Sequence, residues 1–133
     1  IKVKSFLEGK LMADATLLAI AKADLKTAKS LVNSTDKYQK HQAAYMVQQA
    51  IEKTLKYAIS EVTESIPWGH DISKLILAAD VEKITVPDII RQNAAMYTSW
   101  EAVSRYYPRT VIRRDTIAKA IRVVDEWQKA IKR

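Results

Sequence analysis

An all-α fold, an antiparallel up-and-down bundle of four long helices plus one short helix, follows from three features of the sequence. Turn formers are scarce: two Gly and three Pro among 133 residues are too few for the turns of a sheet protein. Apolar residues recur at intervals of three, four and seven along most of the chain, the spacing of one helix face. The breaks between these stretches are brief and carry capping residues, as the links of a helical bundle do. Without a flexible linker, internal repeat or low-complexity segment, residues 1–133 read as one domain.

The first helix is expected from near Ser5 to about Val32, with Leu11, Leu18, Leu25 and Val32 in one stripe and Leu7, Ala21 and Ala28 beside them. Asp14 falls inside that stripe, so it is either a polar residue that needs a partner or the cap from which the ordered helix starts. Asn33-Ser34-Thr35-Asp36 ends this helix and caps the next, because short polar side chains compete for backbone N–H groups. The second helix, about Lys37 to Glu64, turns Val47, Ile51, Leu55, Ile59 and Val62 to the core. Pro67 and Gly69 break the chain, and Asp71 caps a short third helix carrying Ile72, Leu75, Ile76 and Ala79. Thr85, with Pro87 and Asp88 behind it, marks the start of a fourth helix. That helix presents Ile89, Met96, Trp100, Val103 and Tyr107 on one side and stops before Pro108. Asp115 caps the fifth, whose stripe is Ile117, Ala120, Val124, Trp127 and Ile131. Trp100 and Trp127 lie on these stripes and are expected in the core.

Composition narrows the function. The absence of Cys excludes disulfides and thiolate metal ligands. With only His41 and His70, a histidine-rich metal site is not expected, and no metal or cofactor is assigned from the sequence. No run approaches the ~20 apolar residues of a membrane span, and no signal-peptide pattern opens the chain, so a soluble, cytoplasmic protein without membrane contact is expected. The net charge is +7, and from Arg109 to Arg133 eight Lys or Arg face Asp115, Asp125 and Glu126. A basic balance favours phosphates or an acidic partner. There is no Gly-rich phosphate loop, HExxH or nucleophile triad to support a hydrolase or a redox enzyme.

Three places carry candidate chemistry. On the second helix Gln49, Glu52, Lys53 and Lys56 oppose the apolar stripe, with Glu52 four before Lys56 in the favourable order for an ion pair. They form either a solvated face or a surface that meets a polar ligand. In Trp68-Gly69-His70-Asp71, His70 either packs on the turn or donates near a helix start, where anions are favoured. His41 is expected to be exposed. In Ser104-Arg105-Tyr106-Tyr107-Pro108, Arg105 either pairs with Glu101 or stands with Tyr106 as a rim that can hold a phosphate or a base. Met46, Ala50 and Tyr57 form a second apolar strip on the second helix that a lone bundle would leave partly uncovered, and a homodimer is expected from it.

Taken in order, these pieces resemble the HEPN domain family. Ala21 to Leu31 matches the A-x-x-D-L-x-x-A-x-x-L first helix, and Gln49 to Lys56 the Q-A-x-E-K-x-L-K second helix. His70-Asp71-Ile72 with Leu75 matches the H-D-[IL]-x-x-L turn, and Arg105-Tyr106 before Pro108 the R-Y-x-P-like ending. The resemblance implies a bundle of four to five helices, usually a homodimer, often encoded beside a minimal nucleotidyltransferase. Many members are metal-independent ribonucleases that use an Arg followed four to six residues later by a His. This chain departs from that pattern, since no Arg is followed by His at that distance. The resemblance therefore points to the noncatalytic branch, thought to bind a nucleotide or a nucleotidyltransferase. The ligand- or partner-binding set expected on this basis is Gln49, Lys53, Lys56, His70, Arg105 and Tyr106. The other readings are an RNA-cleaving toxin of a toxin-antitoxin pair with an altered site and a ligand-free structural dimer.

Overall fold

The computed structural model of the chain describes residues 2–131, with side chains described from Thr16 onward. Six helices run in order: α1 (Lys2–Leu31), α2 (Lys37–Thr63), α3 (Ile72–Val81), α4 (Asp88–Gln92), α5 (Ala94–Tyr106) and α6 (Arg114–Ile131). No strand occurs among the described residues. α2 is the central element and packs against α1, α3, α5 and α6. Among the described residues no helix is long and apolar enough to cross a membrane.

Local chemistry sets most of the boundaries. Asp36 stands in extended backbone and its carboxylate accepts from the Tyr38 N–H at 2.8 Å, the expected cap of α2. The link before it is held from outside: the Arg114 guanidinium donates to the Val32 and Ser34 carbonyls, each at 3.1 Å. These carbonyls lie at and just beyond the end of α1, where backbone acceptors lose their helical partners. α2 closes on Glu64, which takes the left-handed conformation (φ 59°) and donates its N–H to Ser60. Asp71 caps α3 through the Ser73 N–H at 2.9 Å. The Ile72 N–H reaches across to Thr98 Oγ1 at 3.0 Å, which ties the start of α3 to α5.

Several expectations are corrected. α1 passes through Asp14 without a break, so the helix does not start there; the side chains of Leu7, Leu11 and Asp14 lie outside the described residues. The fourth helix is two helices. Asn93 leaves helical backbone at ψ 18°, and its side-chain amide donates to the Ile89 carbonyl at 2.9 Å, the competition that makes Asn a poor interior residue. Thr85 does not cap α4, whose preceding residue is Pro87 with no side-chain cap bond. The buried line through α4 and α5 is Ile90, Ala94, Tyr97 and Trp100, with Ile89, Met96 and Val103 half-buried and Tyr107 exposed. α6 begins at Arg114, which places Asp115 inside the first turn, where a carboxylate still favours the helix dipole.

The core joins Leu25 and Ala28 of α1, and Val32 just past its end, to Val47, Ile51, Leu55 and Ile59 of α2, Ile72 and Leu75 of α3, and Ile117, Val124 and Trp127 of α6. Trp100 is buried as expected and meets Tyr97 edge to face at 5.1 Å. Each wholly buried Leu or Ile contributes roughly 1.5–3 kcal/mol by removal from water. Because α2 is covered from several sides, its burial goes beyond one stripe. Ala50 is fully enclosed and Met46 packs on the core, so the strip assigned to a dimer contact is largely covered within the chain. Val62, placed in the core stripe from its spacing, is exposed. His41, expected at the surface, is buried.

Candidate functional site

One face of α2 carries Tyr45, Gln48, Glu52 and Lys56, spaced by three and four residues, so they share a stripe. This stripe meets α5 and the turn before α3. Glu52 is its centre and is 4% exposed. A buried carboxylate is costly unless its lone pairs are met, and three donors meet it here. Gln48 Nε2 donates to Oε1 at 3.1 Å, Lys56 Nζ stands 3.3 Å from Oε2, and His70 Nδ1 lies 3.1 Å from both oxygens. Gln48, itself fully buried, accepts in turn from Gln49 Nε2 at 2.7 Å.

His70 reaches Glu52 because the turn is held at both sides. Gly69 takes φ 99°, a backbone region that L residues avoid, and redirects the chain just before His70. Asp71 caps α3, and Thr98 of α5 holds the following N–H. The imidazole side chain stays 71% exposed, so one edge touches the buried carboxylate while the rest faces solvent.

α5 supplies the other wall. Arg105 Nη2 donates to the Tyr45 hydroxyl at 3.3 Å, and the guanidinium lies 5.5 Å from the Tyr45 ring centroid. Arg105 Nη1 stands 3.6 Å from Glu101 Oε1, an ion pair of helical spacing. The Tyr45 hydroxyl above all, with Glu101 and Tyr106 adding to it, pushes the guanidinium pKa up. One ligand atom each from Glu52, His70 and Glu101 lie within 4.8 Å of one another, a mixed nitrogen and oxygen donor set able to hold a metal ion.

Of the six residues singled out in the sequence, Lys56 and His70 meet on Glu52, and Arg105 joins them through Glu101. Gln49 reaches the group only through Gln48, and Tyr106 is 70% exposed beside Arg105. Lys53 is not brought in: its ammonium pairs with Asp24 of α1 at 2.6 Å. Glu52 is not on a solvated face, since α5 and the turn cover it. Tyr45, Gln48 and Thr98 carried no signal in the sequence, while Glu101 was legible only as the residue four before Arg105.

Comparison with known proteins adds one finding. The family model described as the HEPN domain matches residues 15–133. No curated protein and no solved structure matches the chain.

Proposed function

This chain belongs to the HEPN domain family, and from that premise we propose that it is a noncatalytic module that binds a nucleotide at the α2–α5 seam. The observation that carries this reading is the convergence of Lys56, His70 and Arg105, from three elements, around the Glu52 and Glu101 carboxylates. Arg105 and His70 are exposed enough to take a phosphate, Arg105 through its planar fork. Tyr106 offers an exposed ring beside them on which a base can stack. The carboxylates accept from amino groups. The test is calorimetric titration of nucleoside mono-, di- and triphosphates into wild type and Arg105→Ala. A charge-assisted phosphate contact is worth about 1.5–3 kcal/mol, so the variant should bind roughly ten- to a hundredfold more weakly at an unchanged melting temperature. Equal affinity in both proteins, or none in either, would remove the reading.

The minimal nucleotidyltransferase implied by the family would meet the same rim, and co-purification with wild type but not with Arg105→Ala tests it. Self-association draws support from another place. Val62, Ile66, Trp68, Leu77 and Val81, at the end of α2, the following turn and α3, are exposed apolar side chains, Trp68 almost completely so. Sedimentation of wild type and Leu77→Glu at micromolar concentration should give a dimer and a monomer; a monomer in both removes the homodimer.

A second reading, RNA cleavage, is favoured by the His70 imidazole standing against a carboxylate, an arrangement that can move a proton. RNA cleavage by the purified protein that disappears in His70→Ala would replace the binding reading.

A further inference from the structure

We propose that Glu52, His70 and Glu101 form a site for one divalent transition-metal ion. Ligand atoms that share an ion at about 2.0–2.2 Å stand roughly 3–4 Å apart. His70 Nδ1 is 3.1 Å from each Glu52 oxygen, and the three ligand atoms fall within 4.8 Å of one another; the ion takes the place of the Nδ1 proton shared with Glu52, and that proton passes to solvent. Closing the set requires only a small movement of the two outer side chains.

The state of Glu101 points to a cation. It is 28% exposed and stands beside a second carboxylate, yet among the described residues its carboxylate accepts no hydrogen bond; its nearest cation, Arg105, lies at 3.6 Å. Glu52, by contrast, is fixed: Gln48 and Lys56 hold its two oxygens from within α2. Such bonds orient a ligand carboxylate and leave lone pairs for an ion. The backbone beside His70 is held by the Asp71 cap and the Thr98 tie two residues on. One fixed carboxylate, an imidazole anchored at its backbone and a second carboxylate engaged among the described residues by Arg105 alone make a site open to solvent on the His70 side.

One imidazole with two carboxylates suits zinc or manganese rather than magnesium or calcium, which prefer oxygen alone. Lys56 and Arg105 compensate part of the negative charge, so the affinity is moderate and Arg105 is a competitor for Glu101. The inference stands apart from the nucleotide reading, because its test uses metal alone.

The experiment titrates zinc and manganese chlorides into the chelator-stripped, tag-free full chain by calorimetry and follows both histidine side chains by NMR. Expected are one ion per chain, a shift of the His70 imidazole signals with His41 unmoved, and at least tenfold weaker binding in both His70→Ala and Glu101→Gln. Arg105→Ala, which frees Glu101, should bind severalfold more tightly. His70 and Glu101 lie off the core, and thermal melts of the metal-free variants confirm folding. Affinity unchanged in Glu101→Gln, a shift of His41 alone, or no saturable binding overturns the site.

Discussion

Replacing Glu52 with Leu tests whether the α2–α5 seam depends on one buried carboxylate. Gln48 is fully buried and would lose the acceptor of its Nε2–H at 3.1 Å; an orphaned buried donor costs about 1–3 kcal/mol. Lys56, 13% exposed, would lose its anion at 3.3 Å. Removing one partner of a fully buried pair costs about 3–5 kcal/mol, but the lysine stem can carry its ammonium to water, so about 1 kcal/mol is expected. His70 is mostly exposed and rehydrates, adding little. Leucine recovers about 1 kcal/mol of the loss by burying apolar surface, which leaves a net destabilisation of about 1–3 kcal/mol. For a chain of this size that lowers the melting temperature by roughly 3–15 °C. Thermal and urea unfolding of Glu52→Leu, Glu52→Gln and the Gln48→Leu/Glu52→Leu pair provide the assay. Glu52→Gln keeps an acceptor for Gln48 and should cost about 1 kcal/mol. The double variant removes the orphan and should cost about 1 kcal/mol less than the sum of its parts. A Glu52→Leu protein that melts with wild type, or strictly additive losses in the pair, would refute the reasoning.

Three further outcomes are expected. Gly69→Ala meets no atom within 4 Å of the added Cβ, so its cost is that of backbone at φ 99° alone, about 1–2 kcal/mol in denaturant unfolding. Trp127 Nε1 is buried without a hydrogen-bond partner among the described residues, so Trp127→Phe removes an unmet donor and should cost under about 1.5 kcal/mol, against about 2–5 kcal/mol for Ile117→Ala in the same helix. Lys129 and Lys29 hold the Asp125 carboxyl below its usual range, so its stabilising contribution is present above the unfolded carboxyl value and lost as pH falls through the lower folded one. Lys29→Ala should therefore lose less melting temperature than wild type between pH 5 and pH 2, by well under about 1 kcal/mol because the pair is part-exposed.

What the sequence by itself determined is what depends on neighbours along the chain. The Asp36 and Asp71 caps, both ends of α2, the start of α3, and the buried line Ile117, Ala120, Val124 and Trp127 of α6 all follow from local hydrogen bonding and the helical repeat. The turn that presents His70 was legible for the same reason, since Pro, Gly and Asp act within a few residues. Tertiary structure decided which flanks of a helix are covered, and periodicity cannot report that for a helix packed on several sides. α2 has four neighbours, so Glu52, Gln48 and His41, polar residues off its main apolar stripe, became internal, while Val62, near the end of the stripe, stayed exposed. Lys53 and Lys56 part in the same way: three residues apart on one helix, Lys53 is taken by Asp24, which α1 presents, while Lys56 keeps Glu52 one turn earlier on α2, the pair its spacing allows. Glu101 shows the limit most directly. From the sequence it is half of a surface pair with Arg105, and only the crossing of α5 over α2 sets its carboxylate beside Glu52 and His70.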